Sequence, residues 1–143
     1  MRKRLERQDA IKRIVRNERV KTQRTLVELL RAEGFVCTQA TVSRDITEMG
    51  LKKLPEGVYV LAEDLHLQRM VSDLVLDVKR SENLVLVMAS TGTAPGVAAA
   101  LDAAEIEGIL GSVAGDDTIL VITVGVAEAT LLVDTLDKFR GVS

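Results

Sequence analysis

The stretch Thr38-Gln39-Ala40-Thr41-Val42-Ser43-Arg44-Asp45-Ile46-Thr47-Glu48-Met49-Gly50 decides what fold this chain adopts. Thr38 is a good helix N-cap, and Gly50 stands where a helix ends on a left-handed residue, so a helix is predicted over Gln39–Met49. Val42, Ile46 and Met49 fall at i, i+4 and i+7, one apolar stripe. The other face carries Gln39, Thr41, Ser43, Arg44 and Thr47. Amide and guanidinium groups can bond two atoms of one base edge, and hydroxyls reach phosphates. Taken alone, the segment fits a solvated amphipathic helix as well as a helix that reads DNA.

The preceding residues separate these two possibilities. Thr22 can cap a helix bearing Leu26, Leu29 and Leu30 that ends at Gly34, leaving only Phe35-Val36-Cys37 before Thr38. Two short helices across a tight, glycine-containing turn form the helix-turn-helix pattern, whose second helix enters the major groove. Upstream, Leu5 to Asn17 is helical in pattern, with Ile11, Ile14 and Val15 on one side and cations elsewhere, some of them placed for phosphates. Downstream, Leu51–Leu54 and Val58–Leu61 flank Pro55-Glu56-Gly57, a type I turn signal. This hairpin closes the small core, forms the wing of a winged helix-turn-helix, or does both, with Lys52 and Lys53 beside the duplex backbone. The candidate DNA-binding residues are therefore Gln39, Thr41, Ser43, Arg44, Lys52 and Lys53.

Charge divides the chain. Residues 1–61 hold 14 Lys and Arg against 8 Asp and Glu, a net +6, whereas residues 62–143 hold 5 against 13, a net −8. A basic half beside an acidic half implies two domains with different partners. The expected organisation is a DNA-binding domain over 1–61, a linker over 62–70 running into a helix, and a second domain over 71–143. Hydrophobic residues make up 47% of the chain and aromatics 2%, so its cores are aliphatic. No apolar run approaches the roughly 20 residues of a membrane helix, and Met1-Arg2-Lys3-Arg4 leads into a charged helix with no signal-peptide core. A soluble, cytoplasmic protein is expected. The single cysteine, Cys37, excludes an intrachain disulfide and reads as a small packed side chain. His66, alone, is poor grounds for metal and reads as an exposed helix residue.

The acidic half reads ββαββα: strands at 74–79 and 84–88, a helix through Val97–Ala104, strands at 109–114 and 118–124, and a helix from Ala127 to Phe139. That order describes an α+β domain with a four-stranded sheet and helices on one face, small enough to rely on oligomerisation. The loop Gly92–Gly96 opens a helix and is able to hold an anion such as an amino-acid carboxylate, though it lacks a phosphate-loop lysine. The adjacent acids Asp116 and Asp117 stand at a strand-to-strand turn. They fit a plain turn or a metal site, and better a guanidinium, which is planar, always charged and bidentate toward carboxylate. Catalytic groups are scarce: one histidine, one cysteine and no nucleophile with an evident base.

The run Thr38 to Ile46 resembles the DNA-reading helix of the bacterial arginine repressors, and Gly111-Ser112-Val113-Ala114-Gly115-Asp116-Asp117-Thr118-Ile119 looks like that family's ligand-domain signature. Two motifs in the right order extend the resemblance over nearly the whole chain. It implies a winged helix-turn-helix joined to an oligomerising domain, a hexamer built as a dimer of trimers, and L-arginine as effector at the trimer–trimer contact. By resemblance Asp116 and Asp117 contact the ligand, with Asp102 the nearest match to an aspartate ending the preceding helix. The family's usual form differs in one respect: between Pro95-Gly96 and Asp102 the helix reads about one turn short, and Val97–Leu101 offer no glutamine. The expected function is thus an arginine-dependent repressor of arginine metabolism genes that binds operator DNA, without a metal and without enzymatic activity. The alternatives are a regulator of the same architecture with another small ligand, or a metal-dependent enzyme using Asp102, Asp116 and Asp117.

Overall fold

A computed structural model describes residues 2–142, the Arg2 side chain excepted. The chain divides into two compact units, residues 1–62 and 63–143. The division preserves the charge split, since Ala62 is neutral.

The first unit contains helices α1 (Arg2–Asn17), α2 (Gln23–Ala32) and α3 (Gln39–Met49), followed by strands β1 (Lys52–Lys53) and β2 (Tyr59–Val60). The helices bury one aliphatic cluster made of Ile11, Ile14 and Val15 of α1, Leu26 and Leu30 of α2, and Val42 and Ile46 of α3. Cys37 is buried in the same cluster, as an apolar side chain. Both expected caps form: Thr22 Oγ1 accepts from Thr25 N at 3.0 Å, and Thr38 Oγ1 from Thr41 N at 3.2 Å. The α2–α3 turn is a Schellman end, with Gly34 N donating to Arg31 O and Phe35 N to Leu30 O at 3.0 and 3.1 Å. Gly34 takes φ +94°, which a side chain would strain. At the hairpin, Gly57 N donates to Leu54 O at 2.8 Å and Leu54 N to Val58 O at 2.9 Å. Tyr59 N bonds Val20 O at 2.8 Å, which ties the hairpin to the α1–α2 connection. The hairpin is thus both wing and core lid, since Tyr59 and Leu61 are buried.

The second unit contains α4 (Leu65–Leu74), β3 (Val75–Ser81), β4 (Leu84–Ala89), α5 (Ala94–Ala103), β5 (Ile109–Ala114), β6 (Thr118–Thr123) and α6 (Val126–Arg140). The four strands form one antiparallel sheet in the order β3-β4-β6-β5. Two expectations shift. The stretch 62–70, expected as linker, is a 3-10 turn over Ala62–Asp64 followed directly by α4, whose Leu67 and Val71 are buried. This helix packs on α5 and α6, so the unit reads αββαββα. Similarly, α5 begins at Ala94, three residues before Val97, because proline is tolerated in a first helical turn. The helix thus spans ten residues, Ala94–Ala103.

Strand alternation sorts the sheet into two faces. Val85, Val87 and Ala89 of β4, with Ile119, Val121 and Thr123 of β6, are buried toward the helices. The register aligns Leu84 with Ile122, Leu86 with Leu120 and Val113 with Leu120 on the other face. There Leu84, Leu86 and Val113 are exposed, at 36%, 38% and 66%, and no element of this unit covers them.

Candidate functional site

Capping and packing orient α3. With Val42, Asp45 and Ile46 buried, the exposed arc consists of Gln39, Ala40, Arg44, Thr47 and Glu48, with Ser43 half-buried along its edge. Arg44 makes no ion pair or hydrogen bond among the described residues, so its guanidinium is available to a ligand. Thr41 differs from its neighbours: its hydroxyl lies 3.0 Å from Thr38 Oγ1, within the cap. Thr47 Oγ1 donates to Ser43 O at 3.2 Å. In the wing, Lys52 and Lys53 are exposed, and Lys53 Nζ stands 5.0 Å from the Tyr59 ring centroid, a cation–π contact that restrains the lysine. Exposed amide, guanidinium, hydroxyl and ammonium groups on a +6 unit form a surface suited to a polyanion with readable edges.

Sequence reasoning missed three features of this surface. Arg31 donates from Nε and Nη2 to Cys37 O at 3.2 and 2.9 Å, closing the helix-turn-helix turn. Arg24, Val27, Glu28 and Arg31 line a groove of α2 that Gln39 completes. Asp45 is buried beneath α3 against Arg7 and Gln8 of α1. The only signal for Asp45 was its place in the apolar stripe, three residues after Val42. Its partners lie 38 and 37 residues away.

In the second unit, Asp116 and Asp117 are both exposed on the β5–β6 turn, which Gly115 N closes by donating to Thr118 O at 2.8 Å. Asp116 ties this turn to the start of α5: its Oδ2 accepts from Gly92 N and its carbonyl from Ala94 N, both at 3.1 Å. Asp117 O accepts from Ala89 N at 2.7 Å, and its Oδ1 from Thr118 Oγ1 at 3.0 Å. Neither carboxylate has a cationic partner among the described residues. The Gly92–Gly96 loop, able by its sequence to hold an anion, has most of its amides engaged within the fold. Gly92 and Ala94 amides serve Asp116, Thr93 N serves Ser90 O, and Pro95 has no N–H.

Asp102 lies elsewhere. It sits near the C-terminal end of α5, where its Oδ1 accepts from Ser112 Oγ at 3.3 Å. It lies eight helical positions beyond Ala94, an axial distance of about 12 Å at 1.5 Å per residue. One protomer therefore does not bring the three carboxylates together. Among the described residues, no group of three or more His, Cys, Asp and Glu is placed to hold a metal ion. Among the same residues, no helix is long and apolar enough to cross a membrane.

A winged helix with an open α3, followed by a small α+β unit with an acidic turn, defines a two-part DNA-binding regulator. Family models narrow the class: residues 1–67 match the arginine repressor DNA-binding domain and residues 71–138 the arginine repressor C-terminal domain. The chain is 46% identical to an arginine repressor of Halothermothrix orenii, over 77% of this chain and 81% of the relative. It is 48% identical to one of Thermus thermophilus, covering 82% and 78%, and 38% identical to one of Carboxydothermus hydrogenoformans, covering 94% and 97%. The chain belongs to the arginine repressor family, whose members are transcriptional regulators and not enzymes.

Proposed function

We propose that the protein is an L-arginine-dependent, cytoplasmic repressor of arginine metabolism genes, with α3 reading operator DNA and the acidic unit sensing the ligand. In this reading Gln39, Ser43 and Arg44 face base edges, while Thr41, Lys52 and Lys53 serve the phosphate backbone. Asp116 and Asp117 receive the guanidinium of L-arginine, and Asp102 a second part of the ligand.

The observation that carries the proposal is the placement of Asp102 at the far end of α5 from the acidic turn. The two sites stand at opposite ends of α5, about 12 Å apart along its axis, and each carboxylate has its own local partner there. In this reading the ligand lies between protomers, with Asp102 from one chain and the acidic turn from another. The open aliphatic sheet face around Leu84, Leu86, Leu120 and Val113 supplies a surface for self-association. Two kinds of contact then suit a trimer that pairs into a hexamer. Without ligand, acidic turns facing each other repel; a bound cation neutralises and bridges them. The closed assembly presents several α3 helices together and gains avidity on adjacent half-sites.

The test is operator affinity and oligomer mass with and without L-arginine, with calorimetry over a panel of amino acids. The expected result is tighter operator binding and a larger assembly with L-arginine alone. Equal affinity with and without it overturns the effector assignment; a response to a different amino acid transfers the same architecture to that ligand.

A further inference from the structure

The hidden side of α3 holds an acid where its apolar stripe would place a hydrophobe. Asp45 is 1% exposed and lies between Val42 and Ile46 in the buried face. Arg7 of α1 grips it with two nitrogens: Nε donates to Oδ2, and Nη2 donates to Oδ1 at 2.9 Å. Gln8 Nε2 donates to Asp45 Oδ1 at 3.0 Å and to Glu48 Oε2 at 2.9 Å. Arg4 Nη1 stands 3.8 Å from Glu48 Oε1. Three residues of α1 thus hold two successive acids on α3.

Apolar packing is non-directional, so it permits a helix to rotate a little about its own axis. A bidentate guanidinium–carboxylate pair does not, because both bonds fix the plane and the distance. A buried ion pair is weak grounds for stability, since an apolar pair of similar volume often does as well. Its distinct contribution is geometric. Arg44 directly precedes Asp45, so any rotation at Asp45 is passed to the base-reading face. A rotation of about 10° moves a group about 8 Å from the helix axis by more than about 1 Å, whereas N–H···O distances span only roughly 0.5 Å.

We propose that Arg7 and Gln8, acting through Asp45 and Glu48, are positioning residues for DNA reading: they set the rotation of α3 and thereby aim Gln39, Ser43 and Arg44. The inference rests on the proposed assignment of α3 as the DNA-reading helix.

The test uses the full chain with L-arginine present. The probes are a duplex enriched from a random pool by the wild-type protein and a scrambled duplex of the same composition. Arg7→Met/Asp45→Leu replaces the clamp by an apolar pair. The variant is expected to melt within a few degrees of wild type yet lose at least tenfold of its preference for the enriched duplex. Arg7→Lys, which keeps the charge and one bond, recovers part of that preference. Simple loss of folded protein lowers binding to both duplexes alike and leaves their ratio unchanged. If the double variant does not fold, Asp45→Asn is measured by the same ratio at a temperature where it is folded. A preference within threefold of wild type in a folded clamp variant overturns the proposal. Arg44→Ala is run in parallel. If it too leaves the preference intact, the assignment of α3 fails; if it lowers the preference while the clamp variants do not, only the clamp fails.

Discussion

At the residue scale, Arg44 and Asp45 are chain neighbours with opposite environments, and each leads to a measurable expectation. Arg44 is the only cation on α3 and is exposed. One bidentate base contact is worth about 1–3 kcal/mol of discrimination, so Arg44→Ala should weaken specific binding about 5- to 150-fold and random-duplex binding far less. Equal loss on both duplexes, with a smaller salt slope, assigns Arg44 to a phosphate instead. Asp45 titrates. Burial pushes its carboxyl up, but hydrogen bonds from Arg7 and Gln8 outweigh burial and hold it below the usual carboxylate range. A depressed folded-state value contributes stability that is complete above the unfolded value, about 3.9, and is lost as pH falls through the lower folded one. The protection of the Val42 and Ile46 amides against hydrogen exchange, taken relative to the intrinsic rate at each pH, should therefore fall below about pH 4, and Asp45→Asn should flatten that dependence. Removing the acid altogether, Asp45→Ala, leaves Arg7 only 13% exposed without its partner. The expected cost to the first unit is about 3 kcal/mol, at the low end for a broken buried pair.

At the element scale, the helices announced themselves where local chemistry sets their ends. The bounds of α3 follow from Thr38 and Gly50, the latter at φ +68°. Thr38→Ala should cost about 1 kcal/mol, the usual loss of an N-cap, visible as a lower melting temperature of the first unit. Gly50→Ala brings its Cβ into ordinary van der Waals contact with Ala62 Cβ at 3.8 Å, so its cost is backbone strain alone. That cost is about 1 kcal/mol. Two elements were harder to read. Glu63, Asp64 and His66 gave 62–70 the polar look of a linker, and the buried pair Leu67 and Val71 makes sense only once α5 and α6 stand beside it. Pro95-Gly96 looked like the end of a loop and proved to be the first turn of α5. The clamp on Asp45 was not legible at all, since nothing local marks a partner in another helix. The acidic turn was legible as a pair, but the distance from Asp102 is a property of the folded unit.

At the scale of the whole molecule, the charge division and the open sheet face bear on one variant, Asp117→Asn. The second unit carries −8 and displays two adjacent carboxylates without cationic partners among the described residues. Asparagine is nearly isosteric, and the bond from Ala89 N goes to the backbone carbonyl of residue 117, so the turn should persist. Melting without ligand should barely change. Charged hydrogen bonds contribute roughly 1.5–3 kcal/mol each, so losing one to a guanidinium should lower L-arginine affinity by more than about tenfold. The same change removes one negative charge per protomer from a surface proposed to face its own copies. Assembly without arginine should therefore become easier while the response to arginine is lost. The two effects separate the candidates: loss of charge alone eases assembly and leaves arginine affinity unchanged, whereas loss of a ligand residue also lowers that affinity. Calorimetry, oligomer mass with and without L-arginine and operator affinity in both states measure the difference. Wild-type arginine affinity in the variant would reduce Asp117 to a turn residue and return the ligand site to Asp102 and Asp116.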